Sequence, residues 1–160
     1  MDRQKITCRG LIALKVGSAA SWLSRACGFG EGAMIGGLVS MSIDPTILGR
    51  LGVCKRIAII TGTNGKSTTT QMLAAALNTI GAVATNKQGA NMDAGLIAAL
   101  ASNQDASLAA LEVDEMHVPH VAEALTPNVI VLLNLSRDQL DRVGEIKAIE
   151  HMLRSTISRH

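Results

Sequence analysis

Residues 56–70 read RIAIITGTNGKSTTT, and this stretch decides the fold. It begins with an uninterrupted apolar run over residues 57–60, which is short and mostly β-branched, as in a strand buried on both faces of a parallel sheet. A turn with two glycines, Gly62 and Gly65, follows at once, and a helix is predicted to begin near Lys66. The sequence therefore predicts a strand, a glycine turn and a helix in immediate succession.

The turn has the composition of a phosphate-binding loop. Glycines allow the backbone N–H groups to point inward, and the start of a helix adds the positive end of its dipole. Lys66 supplies a full positive charge for the outer phosphates, and the hydroxyl of Ser67 or its neighbour Thr68 can bind the magnesium that accompanies a nucleotide. An ordinary glycine turn before a helix is the alternative. The turn consists of Gly62, Thr63, Asn64 and Gly65.

The spacing of the loop carries a family resemblance. The general phosphate-loop pattern places about four residues between its glycines, whereas only Thr63 and Asn64 separate them here. GTNGKST resembles the ATP loop of the Mur ligase and folylpolyglutamate synthetase superfamily, which activates a carboxylate as an acyl phosphate. This resemblance implies ATP and Mg²⁺ as cofactors and a Rossmann-like α/β central domain, with a mostly parallel sheet flanked by helices.

The composition bounds the class of protein. A chain of 160 residues can bury on the order of 68–70% of its unfolded surface. With one Trp, one Phe and no Tyr, its core is expected to be aliphatic. A net charge of +2 with mixed signs gives no argument for nucleic acid or an anionic membrane surface as partner.

The cysteines and the apolar runs bear on the compartment. Cys8, Cys27 and Cys54 are odd in number and form no C-x-x-C pair, which favours reduced thiols in a cytoplasmic protein over a disulfide framework or a zinc site. Export through an N-terminal signal is the alternative, but Lys15 and Arg25 interrupt the apolar run there. No apolar segment reaches the ~20 residues that a membrane span requires.

The segment before the phosphate loop is predicted to contain two helices and a loop. Apolar residues from Leu11 to Ala26 suit an amphipathic helix whose role is packing. Residues 28–37, GFGEGAMIGG, contain five glycines and are predicted to form a loop, which either approaches a ligand or is a plain connector. Asp44 as N-cap and Pro45 at the first helical position predict a short helix that ends near residue 51.

The rest of the chain alternates between helices and strands, as expected for a half-sheet with right-handed crossovers. Helices are predicted over residues 67–80, 93–102 and 145–157, and strands over 82–85, 107–113 and 129–133, the last two buried. The buried sides of the first and last of these helices are predicted to consist of Met72, Leu73, Ala76, Leu77 and Ile80, and of Ile146, Ile149, Leu153 and Ile157.

Two segments carry a narrower resemblance. IDPTILGRL before the strand and GANM at residues 89–92 resemble the MurT family, the Mur-ligase-like subunits of lipid II isoglutaminyl synthase, and Asn91 offers an amide near the phosphate end of the sheet. Asn86 and Lys87 invite comparison with the guanine-reading motif of switch GTPases. The fourth position of that motif is Gly89, which lacks the carboxylate that grips the base, so a GTPase is excluded.

Acidic residues follow the third strand, where open α/β sheets bind ligands. A carboxylate at that place can hold magnesium through its oxygens. By resemblance, Glu112 matches the metal-binding glutamate of Mur ligases, in the setting LEVDE that is similar to MurT. Surface carboxylates on a loop are the alternative for Glu112, and equally for Asp114 and Glu115. His117 and His120 have Pro119 between them and no evident third ligand, so they are predicted to be solvated.

Polar residues also follow the fourth strand. Asn134 and Asp138 are candidates for a wall beside nucleotide and metal, and a capped surface loop is the alternative. Amino-acid-adding Mur ligases usually have a histidine after the aspartate, whereas RDQLDR resembles MurT with Gln139 there. The resemblance therefore favours amidation over peptide extension.

Taken as a MurT-like chain, the sequence implies an ATP-dependent carbon–nitrogen ligase that hydrolyses glutamine through a GatD-like glutaminase partner. The family reaction amidates the D-glutamate α-carboxyl of the stem peptide in lipid II or its precursor. The expected organisation is a helical and glycine-loop arm over residues 1–53 and a partial central domain over 54–160, without the C-terminal domain, and no catalytic residue is assigned. The alternatives are an amino-acid-adding Mur ligase or folylpolyglutamate synthetase, and an inactive nucleotide-binding remnant.

Overall fold

The computed structural model describes residues 6–28, 32–86, 90–135 and 143–158. Helices and strands alternate after an initial group of helices, which agrees with the predicted α/β class. The elements are α1 (Cys8–Ala26), α2 (Ala33–Ile43), α3 (Ile47–Leu51), β1 (Arg56–Thr61), α4 (Lys66–Leu77), β2 (Val83–Thr85), α5 (Asp93–Ser102), β3 (Leu108–Glu112), α6 (Val118–Leu125), β4 (Val129–Leu132) and α7 (Val143–Ile157).

The described strands form one parallel sheet in the order β2-β3-β1-β4. The predicted parallel sheet is thus confirmed. Its register pairs Ile60 of β1 with Glu112 of β3, and Thr61 of β1 with Leu132 of β4. Because all strands run the same way, the residues that follow each strand meet at one edge of the sheet.

Strand β1 lies between β3 and β4 and is buried on both faces, as predicted. Ile57 and Ile59 belong to the larger core cluster, which includes side chains of α3, α5, α6 and α7. Ile60 belongs to the smaller cluster, with Ala74 of α4. Three isoleucines of one strand, each at most 2% exposed, therefore hold helices against both faces of the sheet.

Strand β4 was predicted to be buried, and this prediction is wrong. Val129 is 52% exposed and Leu132 is 42% exposed. Within the part of the chain that the structure describes, β4 lies at the end of the sheet and pairs with β1. An apolar run signals a strand but cannot tell a central strand from one at the end of a sheet.

The glycine-rich segment was predicted to be a loop through residue 37, but helix α2 begins at Ala33. Its glycines serve close helix packing. A Cβ on Gly36 would lie 2.7 Å from the carbonyl oxygen of Gly17 in α1, and a Cβ on Gly37 would lie 2.0 Å from that of Ala94 in α5. Backbones that approach this closely leave no room for a side chain, so the tertiary contact outweighs the helix-weakening effect of glycine.

Helix α1 is confirmed, but of its large apolar residues, which were expected to pack, only Leu14 is buried. It begins after Thr7, whose Oγ1 accepts a hydrogen bond from the Gly10 N–H at 3.3 Å. The side facing the protein is made mostly of small residues, and large apolar side chains face solvent. The buried residues are Gly10, Ala13, Leu14, Gly17 and Ser24, and the exposed large apolar ones are Leu11, Ile12, Val16, Trp22 and Leu23.

The predicted buried sides of α4 and α7 are partly wrong. In α4 the buried residues are Thr70 and Ala74, whereas Met72 is 69% exposed. Ile80 lies beyond the end of α4 and is 75% exposed. In α7, Ile149 and Leu153 are buried as predicted and Ile157 is 45% exposed. Leu73 and Leu77 of α4 are partly buried and pack against the smaller core cluster, as predicted. Ala76 is exposed, like Met72 and Ile80.

The three cysteines carry free thiols on the surface. In the described ranges, no helix is both long enough and apolar enough to cross a membrane.

Asp44 stabilises the turn before α3 rather than capping the helix as predicted, because the helix begins at Ile47. Its Oδ1 accepts hydrogen bonds from the Thr46 N–H at 3.0 Å and the Thr46 hydroxyl at 2.7 Å. Its Oδ2 lies 3.3 Å from Arg50 Nε. Burial alone would raise the pKa of Asp44, but the Thr46 hydrogen bonds and the charges of Arg50 and Arg9 outweigh burial and lower it.

The substitution Asp44→Asn is expected to lower the free energy of unfolding at pH 7 by about 1–3 kcal/mol, since it removes a charged acceptor from a buried position. The folded-state pKa lies below the ordinary 3.8, so the carboxylate's contribution is complete above that value and is lost as the pH falls through the folded-state pKa. The difference in free energy of unfolding between wild type and variant should therefore become smaller in acid. Urea unfolding at pH 7 and at about pH 3 measures it, with exposed Glu123→Gln as control. A difference that stays constant with pH would contradict this account.

Candidate functional site

The loop between β1 and α4 has the backbone that a phosphate loop requires. Gly62 has φ +132° and Gly65 has φ +86°, a region that side chains disfavour. Gly62 also lies against the backbone after β4, where an added Cβ would be 2.8 Å from the Asn134 carbonyl oxygen. No side-chain cap bonds the N–H groups that open α4, so they remain available to an anion.

Asn134 ties this loop to the end of β4. Its backbone oxygen accepts from the Thr63 N–H at 2.8 Å. Its side chain bonds Asn64 in both directions, since Oδ1 accepts from the Asn64 N–H at 3.1 Å and Nδ2 donates to the Asn64 carbonyl at 3.0 Å. Three hydrogen bonds therefore hold the loop in its conformation. Asn134 acts here on the loop backbone, and its place in a wall beside nucleotide and metal stays a prediction.

Lys66 lies folded over the loop. Its Nζ donates to the Gly62 carbonyl and, at 3.4 Å, to the Thr63 carbonyl, and it lies 3.5 Å from Glu115 Oε2. The Lys66 and Glu115 side chains are only 12% and 13% exposed. The ammonium group is thus placed at the loop, and Glu115, which the sequence left open between a site and a surface residue, lies beside it and is largely buried.

Glu112 lies at the centre of the site. The side chain of Ser67, in the first turn of α4, donates to Glu112 Oε2 at 2.7 Å, and Asn91 Nδ2 donates to Oε1 at 3.3 Å. Glu112 is 4% exposed. The structure thus brings together three sequence-predicted residues, and of the two candidate hydroxyls it is that of Ser67 that contacts the carboxylate.

Asn86 is a site residue that sequence reasoning missed. It follows β2 and is 6% exposed. Its side chain donates to the Glu112 carbonyl and accepts from the Glu112 N–H, both at 2.8 Å, and it also donates to the Ala90 carbonyl at 2.8 Å. The sequence did offer a signal, since Asn86 directly follows a predicted strand. It was interpreted only as a possible base-reading residue of a GTPase.

Other candidates have different surroundings. Asp114 Oδ1 accepts from the Met116 N–H at 3.0 Å, which is a local turn contact. His117 and His120 were predicted to be solvated, yet both contact Asp93, with His117 Nδ1 3.5 Å from Oδ1 and His120 Nε2 3.2 Å from Oδ2. Asp138 and Gln139 lie outside the described residues.

The donor set fits a magnesium-bound polyphosphate. Backbone N–H groups and an ammonium suit phosphate oxygens, while the Ser67 hydroxyl and the Glu112 carboxylate are the hard oxygen ligands that Mg²⁺ prefers. Within the described ranges, no group of three or more His, Cys, Asp or Glu side chains could hold a metal by itself.

Fold and site together define an α/β protein with a glycine loop of phosphate-loop geometry at the carboxyl edge of a parallel sheet. The family model for the Mur ligase middle domain matches residues 60–158, and the chain belongs to the Mur ligase family.

Within this family the chain is similar to MurT subunits. It is 35% identical over 133 residues to the lipid II isoglutaminyl synthase (glutamine-hydrolyzing) subunit MurT of Streptococcus pneumoniae, over 80% of this chain and 30% of that protein. It is 36% identical over 151 residues to the subunit of the same name from Staphylococcus aureus, over 91% of this chain and 34% of that protein. The chain thus spans about a third of the length of these relatives.

Two other similarities are more distant. The UDP-N-acetylmuramoylalanine–D-glutamate ligase of Desulfotalea psychrophila is 31% identical over 127 residues, which cover 74% of this chain and 26% of that protein. A crystal structure of MurF from Acinetobacter baumannii superposes with a TM-score of 0.62 at 22% identity, over 78% of this chain and 28% of that chain. The MurF likeness supports the fold alone.

Asn134→Ala is expected to weaken nucleotide binding about tenfold, because it removes the two side-chain hydrogen bonds that fix Asn64 in the loop. Asn128→Ala is the matched control. Asn128 Oδ1 accepts from the Ile57 N–H at 2.9 Å, a similar bond at the opposite edge of the sheet. Titration calorimetry with ATP and Mg²⁺ measures both variants. Equal loss of affinity in the two would contradict a local role for Asn134.

Proposed function

We propose that this chain is the ATP-binding part of an ATP-dependent carbon–nitrogen ligase, in which Mg²⁺–ATP binds at the loop between β1 and α4. The observation that carries the proposal is the contact of Ser67 with Glu112, 2.7 Å long, next to the Lys66 ammonium. Those groups match the two components of the ligand, since the carboxylate and hydroxyl suit the metal and the ammonium and N–H groups suit the phosphates.

Each residue has a distinct role in the proposal. The backbone from Gly62 to Gly65 and the start of α4 orient the phosphates, and Lys66 neutralises the charge that develops on the transferred phosphoryl group. Ser67 and Glu112 would hold Mg²⁺, while Asn86 and Asn91 keep Glu112 in place. By the family resemblance, Asp138 would also contribute to binding the nucleotide. Bound Mg²⁺–ATP supplies the phosphoryl group that activates a substrate carboxylate as an acyl phosphate.

Lys66 contacts Glu115 at 3.5 Å. An ion pair of this kind neutralises the ammonium group while no phosphate is present. Entry of a polyphosphate offers Lys66 stronger, multiply charged acceptors, so Lys66 can move from Glu115 and the loop carbonyls to the ligand. The ion pair thus holds Lys66 at the loop until a phosphate group replaces Glu115 as its partner.

We propose further that the reaction is amidation of the D-glutamate α-carboxyl in lipid II or its precursor, with ammonia from a GatD-like glutaminase subunit in a cytoplasmic complex. The support is the similarity to two MurT subunits over 80% and 91% of the chain. Addition of an amino acid is the second candidate, favoured by the similarity to a D-glutamate ligase over 74% of the chain. The nucleophile distinguishes the two reactions.

Lys66→Ala is expected to reduce ATP-dependent amidation at least about 100-fold, because it removes the charge that stabilises the transferred phosphoryl group. The assay combines the chain and its glutaminase partner with lipid II, and follows amidated product by mass spectrometry. Lys147→Ala is the control, since Lys147 is an exposed residue of α7. Normal turnover in Lys66→Ala would refute the ATP site.

The same assay with free ammonia or with amino acids as nucleophile tests the reaction class. Amidation alone supports the proposal, and peptide extension alone supports the second candidate. ATP binding by the wild-type chain without any turnover would show a nucleotide-binding module that is inactive as a ligase, and would overturn the proposed reaction while leaving the ATP site intact.

A further inference from the structure

The outward side of α1 carries large apolar side chains, whereas its buried residues are mostly small. Ile12, Val16 and Leu23 repeat at spacings of four and seven residues and so lie along one side of the helix. They are 56%, 44% and 57% exposed. Trp22, the only tryptophan of the chain, is 65% exposed near them. The small buried residues of α1 pack the helix onto the protein, so its large apolar residues are left to face outward.

Helix α2 continues this pattern. Its inward side packs through Gly36, Gly37 and Ser40, all buried, and its outward side carries Met34, Ile35 and Leu38, which are 39–49% exposed. We call the outward residues of both helices the apolar face. It consists of Leu11, Ile12, Val16, Trp22, Leu23, Met34, Ile35 and Leu38. Isolated apolar residues on a surface are ordinary, but eight on two packed helices indicate a binding surface.

The charges on these helices have one sign. Over residues 6–28 and 32–43 the charged side chains are Arg9, Lys15 and Arg25, and acidic residues are absent from those ranges. In α1 the helical spacing places Lys15 within the apolar side and Arg9 and Arg25 at its two margins. The acidic side chains of the described residues lie from Asp44 onward. In the full sequence, residues 1–43 contain five basic and two acidic residues, the acidic ones being Asp2 and Glu31, which gives this part a net charge of +3.

We propose that the apolar face binds the surface of a membrane that contains anionic phospholipids, with α1 lying in the plane of the headgroups. The 19 residues of α1 make a helix about 28 Å long, which is suited to lie along the interface. Its apolar residues enter the boundary between headgroups and acyl chains, and Lys15 reaches the lipid phosphates.

Anionic lipid fits this face better than another apolar protein surface does. A protein partner would have to bury Lys15 within the apolar contact and supply an acid for it, since burial of an unpaired charge is costly. A membrane surface imposes no such cost, because the long lysine stem can follow the apolar surface while its ammonium stays among the headgroups. Tryptophan also prefers this interfacial zone. The proposal does not depend on the proposed reaction, because α1 and α2 hold none of the phosphate-loop residues.

Trp22 makes the test direct. The chain is titrated with vesicles of phosphatidylcholine alone and of equal parts phosphatidylcholine and phosphatidylglycerol. Binding is expected to the anionic vesicles, with a blue shift of Trp22 fluorescence, co-flotation of the protein, and loss of most binding in high salt. Equal affinity for both vesicle types, or none for either, would overturn the proposal.

Matched variants assign the binding to the apolar face. The double variant Ile12→Ser, Leu23→Ser is compared with Met72→Ser, Ile80→Ser, which removes two exposed apolar residues elsewhere. Lys15→Glu is compared with Lys147→Glu, which changes the net charge equally. The α1 variants should weaken vesicle binding about tenfold or more and the controls less than about twofold. Equal effects in both pairs would contradict the assignment.

Circular dichroism melts verify that each variant is folded. The substituted positions are exposed, so the variants are expected to fold. Sedimentation of the lipid-free chain shows whether the apolar face instead binds a second copy of the chain. A dimer that dissociates on Ile12→Ser, Leu23→Ser and does not bind anionic vesicles would identify the face as a contact between copies of the chain, and would refute the membrane proposal.

Discussion

The hydrogen bond from Ser67 Oγ to Glu112 Oε2, 2.7 Å long, joins the helix that follows the phosphate loop to the end of the neighbouring strand. It places a hydroxyl and a carboxylate on the same side of the loop that holds Lys66. The sheet register makes this contact possible, since Glu112 pairs with Ile60, two residues before Gly62. Loss of that register would separate Lys66 and the loop N–H groups, which we propose bind phosphate, from Ser67 and Glu112, which we propose bind Mg²⁺.

Asparagine side chains hold the strand ends around this contact. Asn86 bonds both backbone groups of Glu112, Asn134 bonds both backbone groups of Asn64, and Asn91 bonds the Glu112 carboxylate. A side-chain amide can donate and accept at once, so it substitutes for a backbone partner where a strand has ended. The site is therefore preorganised by groups that need no change of protonation to form it.

The sequence was sufficient for the elements that depend on local pattern. The apolar run of β1, the glycines at positions 62 and 65, and the acid at the end of β3 each follow from chemistry within a few residues. The pairing of Asn134 with Asn64 and of Asn86 with Glu112 could not be predicted, because those partners are 70 and 26 residues apart. Local pattern also failed for α2, where glycines serve contact between helices, and for α1, where the apolar residues face outward.

The most direct measurement of the central claim uses Mn²⁺ in place of Mg²⁺, together with ATP, and records the amide spectrum of the 15N-labelled chain. Paramagnetic broadening depends steeply on distance from the metal. The account predicts broadening of the amides from Gly62 to Ser67 and of Glu112, with α1 unaffected, and loss of that broadening in Glu112→Gln. Broadening centred on other residues, or unchanged in Glu112→Gln, would contradict it.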